Sequence, residues 1–156
     1  MITENGGSPK TLKELHEVLE LRRVNFFEVS SRRWDAGDGD VAIPSEDTVQ
    51  MRVMQRVGRH GISVRGRIAV DTPQGQLVAD AVAVFVLKDE YQHKYEELDL
   101  EEELLKQFAE KVGVPCVFPF LREAVYEGAR KVGIKAPLLG TLWAENIQLK
   151  ESDDLA

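Results

Sequence analysis

A chain of 156 residues is long enough to bury one sizeable core and too short for two ordinary domains, so 1–156 is expected to form a single domain with loose ends at 1–10 and 150–156. A net charge of −7, with 43% hydrophobic and 30% charged residues, argues against a nucleic-acid partner, and the single Cys116 rules out an internal disulfide. No run of about 18 apolar residues exists and the start "MITENGGSPK" has no apolar signal core, so no membrane insertion is expected and the cytoplasm is the expected compartment.

The first periodic stretch, "TLKELHEVLEL", sets Leu12, Leu15, Val18 and Leu19 three and four apart and predicts a short amphipathic helix. "RRVNFFEVSSRRW" then turns strand-like. Val24 and Phe26 alternate, while Phe27 and Val29 are shifted by one, which predicts a bulge or a strand apolar on both sides. "DAGDGD" breaks the strand. A second strand is expected over "TVQMRVMQRV". A third follows, with Ile62, Val64, Gly66, Ile68 and Val70 alternating with Ser63, Arg65, Arg67, Ala69 and Asp71, a period of two with one wet face. "TPQG" is a type I turn signature. The next strand, "QLVADAVAVFVL", is apolar on both sides, and its two faces need cover. The strands from 48 to 87 are expected to form an antiparallel meander.

From residue 99 the period becomes helical. Asp99 and Glu102 stand as a capping-box pair, and Leu100, Leu104, Phe108 and Val112 make a stripe that Leu105 and Ala109 widen. Gly113 is expected to stop this helix. Pro119 fits the first turn of a second one, in which Phe118, Leu121, Val125, Ala129 and Val132 line one face and which Gly133 ends.

Groups that could carry catalysis are few and scattered. His16, His60 and His93 share no ligand spacing, so neither a metal nor a catalytic role is assigned to them. "DAGDGD" lacks the register of a calcium loop, and the apolar setting of Cys116 predicts an inert thiol. No cofactor is expected. What remains is apolar surface: a sheet, two helices and a strand apolar on both faces carry more than one small layer pair covers, which points to oligomerisation or to an exposed hydrophobic groove.

The stretch "FPFLREAVYEGARKVGIKAPLL" resembles the signature of the SecB export chaperones and SecB-like proteins. The motif residues are Phe118, Pro119, Phe120, Leu121, Arg122 and Glu123, followed by Pro137 and Leu138. Upstream pieces fall in the family order, from "RRVNFFEV" through a hairpin ending in a strand with Phe85 to "EEELLKQFAEKVG". The likeness covers residues 20 to 143, and the acidic connector "DEYQHKYEELDLEEEL" resembles SecB-like chaperones associated with toxin-antitoxin systems. It implies an α+β fold, a four-stranded antiparallel sheet backed by two C-terminal helices, assembled as a homotetramer, a dimer of dimers. It also implies a chaperone that works without ATP or cofactor and holds unfolded preproteins for export, or a dedicated antitoxin, in hydrophobic grooves. By analogy the groove is lined by Phe26, Phe27, Val29, Trp34, Phe85, Phe120, Tyr126, Leu138, Leu139, Leu142 and Trp143. Two departures count against docking to SecA. Arg22 and Arg23 stand near the first strand, and Val78 stands where an acid is expected in the third. The alternative from another class, a hot-dog-fold acyl-thioester enzyme, needs an acid or histidine aimed into a tunnel. The second helix offers mostly charged groups off its apolar stripe, so the chain is not expected to be an enzyme.

Overall fold

Thr11 opens the first helix, its Oγ1 accepting the Glu14 N–H at 3.1 Å, and Leu12–Val18 (α1) buries Leu15 and Val18. The structure, a computed structural model, describes residues 7–35, 42–140 and 148–150. Within the start expected to be loose, Pro9 is buried and Ser8 Oγ accepts the Asp99 N–H at 2.9 Å. Leu19, placed on the helix by its spacing, is the first residue of the strand Leu19–Arg33 (β1), and it still packs into the same core.

Four strands make the main antiparallel sheet: β1, Thr48–Val57 (β2), Gly61–Asp71 (β3) and Gly75–Leu87 (β4). β2, β3 and β4 form the expected meander, and β1 pairs with β4, so the order is β1-β4-β3-β2. A short strand, Gln148–Lys150 (β5), adds parallel to β2 through Arg52 to Met54. The sequence signalled no such strand, for three residues are too few to show a period. Thr72 closes the β3–β4 turn, its Oγ1 accepting the Gln74 and Gly75 N–H groups at 3.1 and 2.9 Å.

The helices lie on one face. Glu102–Phe108 (α2) runs through a π-helical turn, Ala109–Gly113, directly into Val114–Val132 (α3). Two expectations are corrected here. Gly113 does not end the first helix: its φ of −65° is right-handed helical, and it is glycine because a Cβ there would lie 2.4 Å from Val64 Cγ2 on the sheet below. Nor does Pro119 open a second helix, since it falls inside α3 while Pro115 takes the first turn. A proline ring crowds the carbonyl four residues back, which for Pro115 is Lys111. Lys111 lies in the wider π turn, where the Val114 N–H reaches back to Ala109 O. Pro115 and Pro119 are both exposed, so the carbonyls they leave without a helical partner can be hydrated. The cap also differs. Glu101 precedes the first turn with no side-chain hydrogen bond, so Asp99 and Glu102 make no capping box. Gly133 does end α3, with φ 68°, and the Ile134 N–H reaches back to Ala129 O.

The core fills between this helical layer and one sheet face. Ile62, Val64, Ile68 and Val70 of β3 meet Leu77, Ala79, Ala81, Ala83 and Phe85 of β4, under Phe108, Val117, Leu121 and Val125. The other face of β4 was expected to need a partner subunit, yet Val78 and Val82 are only 6% and 8% exposed within the single chain. Val84 and Val86 on the same face are half-buried.

Candidate functional site

β1 lies at the sheet edge, and four of its large apolar side chains are exposed. Leu21, Phe26, Phe27 and Val29 are all exposed, Phe27 at 60% and Val29 at 55%. Register explains how they divide. Pairs run Phe26 with Ala81 and then Glu28 with Asp80, so Phe27 is the extra residue of a β-bulge, and a second bulge falls between Leu21 and Arg23. Residues directly opposite in a pair share a face. Phe26 and Val29 therefore lie on the helix side, opposite the buried Ala81 and Ala79, while Glu28 and Asn25 lie on the open side with Asp80 and Val82.

The bulge is anchored on the open side. The Arg65 guanidinium stacks 4.0 Å from the Phe27 ring centroid and makes a two-pronged pair with Asp80, both bonds at 2.8 Å. Arg67 donates to Glu28 at 2.7 Å and to Asp80 at 3.1 Å. Asp80 is almost wholly buried, with a side-chain exposure of 3%. The hydrogen bond from Arg67 is the main cause that lowers the Glu28 pKa below the usual carboxylate range, against a smaller opposing effect of desolvation.

α3 crosses the helix-side face and reaches β1. Gly128 passes close to Ser31, and Arg33 Nη1 donates to Gly133 O at 3.2 Å, tying the strand to the helix end. Past the helix, Tyr126 pins the following segment: its hydroxyl donates to Leu139 O at 3.2 Å and accepts the Leu139 N–H at 3.1 Å. Pro137 is buried there, and Leu138 is 98% exposed.

The residues assigned to a groove therefore separate. Phe26 and Val29 stay together at the edge of β1, and Phe27 faces the other way. Phe120 and Tyr126 are exposed on α3, and Tyr126 holds the segment that carries exposed Leu138. Trp34 sits at the end of β1 by the β3–β4 turn, its Nε1–H donating to Thr72 O at 2.9 Å. Two assignments are corrected within this chain. Phe85 is core, edge-on to Phe108 with ring centroids 5.0 Å apart, and Leu139 is buried by the Tyr126 clasp. Leu142 and Trp143 lie outside the described residues. Exposed Leu21 was not assigned, though its place beside the Arg22 bulge follows the same logic as Phe26. Of the motif residues, Phe118 is buried with the Arg122 guanidinium 5.7 Å from its ring centroid, while Pro119, Phe120 and Glu123 face outward. The motif thus fixes the helix on the sheet and leaves Phe120 free.

Chemistry finds little to use. Cys116 is half-buried, and burial pushes its thiol pKa up. Glu123 and Glu127 border a surface depression of about 430 Å³ with Arg122, Tyr126 and Arg130, not an enclosed tunnel of the kind a thioester enzyme needs. No helix among the described residues is long and apolar enough to cross a membrane.

No protein-family model matches the chain. Over 156 residues, covering 98% of this chain and 97% of the relative, it is 35% identical to the SecB-like chaperone SmegB of Mycolicibacterium smegmatis. A solved structure of a SecB-like chaperone of Mycobacterium tuberculosis, in complex with a ChAD peptide from the HigA1 antitoxin, matches with a TM-score of 0.64 over 84% of this chain and 92% of that one. At 16% identity this second likeness shows the fold alone. A four-stranded antiparallel sheet backed by its C-terminal helical layer, an apolar edge strand and near full-length identity to a named chaperone all agree: the chain belongs to the SecB-like chaperone family.

Proposed function

We propose that this chaperone holds unfolded, aggregation-prone polypeptides without ATP or cofactor, and that its client is an antitoxin. One observation carries the reading: Phe26 and Val29 stand exposed on one face of a strand at the sheet edge, beside a helix that also exposes Phe120 and Tyr126. These exposed side chains offer a client apolar contact, and an aromatic side chain buries about 150–250 Å² without requiring a fixed partner shape. Leu138 continues the apolar surface beyond the helix, and Leu142 and Trp143 are proposed to extend it. The solved relative with an antitoxin peptide supports an antitoxin client over general export. The assembly is proposed to be a homotetramer acting in the cytoplasm, and SecA is proposed to bind weakly. The acids at hand for a basic motor, Glu28 and Asp80, are already engaged by Arg65 and Arg67.

The test is aggregation of a reduced, unfolded polypeptide, followed by light scattering with no nucleotide present. Suppression is expected. Phe26→Ser combined with Val29→Ser is expected to weaken it several-fold, since about 25 cal/mol is lost per Å² of apolar area no longer buried. Equal suppression by the variant and the parent would remove the β1 edge from the client site.

A further inference from the structure

The open face of the sheet, turned away from the helices, carries a charge opposite to that of the chain. Register places six arginines on it: Arg23 and Arg32 from β1, Arg52 and Arg56 from β2, and Arg65 and Arg67 from β3. Among the described residues only four acids share the face, Glu20, Glu28, Asp71 and Asp80, although the whole chain has a net charge of −7. Arg65 and Arg67 are taken up by Asp80 and Glu28. Arg23, Arg52 and Arg56 are exposed and make no ion pair among the described residues. Arg52 stands directly opposite Arg67, whose charge Glu28 and Asp80 already offset, so Arg52 keeps its own charge for a partner. Half-buried Met54 and Val84 fill positions between the arginines, so the face alternates charge with apolar surface. Arg23 and Arg56 end one row across four strands, about 14 Å apart at the usual strand spacing.

We infer that this open sheet face docks an acidic polypeptide segment of a partner protein, with carboxylates spaced to meet Arg23, Arg52 and Arg56 and apolar side chains over Met54 and Val84. A polypeptide fits better than a nucleic acid. The apolar positions between the charges suit side chains, and a chain of net charge −7 repels a long polyanion while admitting a short acidic segment. The face is distinct from the helix-side surface at Phe26 and Val29, so this docking stands or falls separately from client holding.

The experiment uses the full-length protein and fluorescence anisotropy of a fluorescein-labelled peptide with glutamate at every second position and valine or leucine between. Its glutamine counterpart and a single-stranded oligonucleotide serve as comparisons. The acidic peptide is expected to bind more weakly as salt rises from low to physiological, and the glutamine peptide not to bind. Arg23→Ser, Arg52→Ser and Arg56→Ser together are expected to weaken binding about tenfold. Three lysine-to-serine changes off the face, at Lys13, Lys111 and Lys131, give the same change in net charge and are expected to leave binding intact. So are Phe26→Ser and Val29→Ser. An equal loss in the lysine variant would show that only net charge matters and would overturn the inference. Oligonucleotide binding as tight as peptide binding with the same arginine dependence would also overturn it, as would peptide binding indifferent to the three arginines. Arg52→Lys with Arg56→Lys is expected to retain binding, which separates loss of charge from a damaged sheet.

Discussion

Asp80 is the residue on which the open face turns. Its carboxylate is buried, yet it meets two guanidiniums whose outer atoms reach solvent, at 29% and 36% side-chain exposure. Asp80→Asn keeps the shape and removes the charge, leaving Arg65 and Arg67 to share a weaker acceptor. A loss of about 2 kcal/mol is expected, the scale of charge-assisted hydrogen bonds discounted for the exposed partners. Urea unfolding at fixed protein concentration checks it, and an unmoved midpoint would refute this account of the network. Glu28 adds a pH dependence with a definite sign. Its pKa is lower in the folded chain, so its contribution is complete above the usual carboxylate range and is lost as pH falls through the lowered folded value. Glu28→Gln is therefore expected to lie below the parent in stability at neutral pH and to converge with it in acid. A constant gap between the two curves at all pH values would show that the carboxylate is not the cause.

Among the elements, the turn from α2 into α3 holds the sharpest constraint. Gly113 lets the helix approach the sheet until only hydrogen fits against Val64. Gly113→Ala gains about 1 kcal/mol of helix propensity but forces a methyl against the β-branched Val64, whose Cβ itself would lie 2.7 Å away. Overpacking of this kind costs about 1–3 kcal/mol and here, with no flexible end to yield, outweighs the gain. A net loss is expected, partly recovered when Val64→Ala is combined with it; additive losses in the double variant would place the strain elsewhere. Sequence alone could not show this. A glycine after a helical stripe reads as a stop, and the π turn that carries the chain past Gly113 and Pro115 depends on a sheet contact that no local spacing records. The amphipathic stripes were legible because packing imposes them: Leu104, Phe108, Leu121, Val125 and Ala129 are all buried as their spacing predicts. The shifted spacing at Phe26 and Phe27 left open a bulge or a strand apolar on both sides, and the register with β4 shows the bulge. The division of the groove residues was not legible, because Phe85 and Phe26 look alike in sequence, and only the neighbouring strand order makes one core and the other edge.

At the scale of the whole molecule, the question is what covers the edge of β1. The both-faced apolar character of β4 argues only in part for a partner copy, since Val78 and Val82 are covered within the chain while Val84 and Val86 are half-buried. The edge argues for one as well. A strand of 15 residues, Leu19–Arg33, leaves one row of backbone donors and acceptors unpaired among the described residues and exposes four large apolar side chains beside them. Long edges of this kind pair with another chain unless charge, proline or a bulge blunts them, and the two bulges here re-aim side chains without filling the edge. Two copies meeting along β1 through a two-fold axis would extend the sheet continuously, and pairing of two such dimers through their helical layers would give the proposed tetramer. Light scattering on a sizing column is expected to give a mass near four times the 17.5 kDa chain. Phe26→Ser is expected to leave that mass unchanged, because serine keeps the backbone pairing. Val29→Lys puts a charge on the exposed apolar surface of this edge strand and is expected to lower the mass. A parent protein running as a single chain at micromolar concentration would sink the tetramer, whereas a tetramer untouched by Val29→Lys would leave assembly to the helices and free the β1 edge for client strands alone.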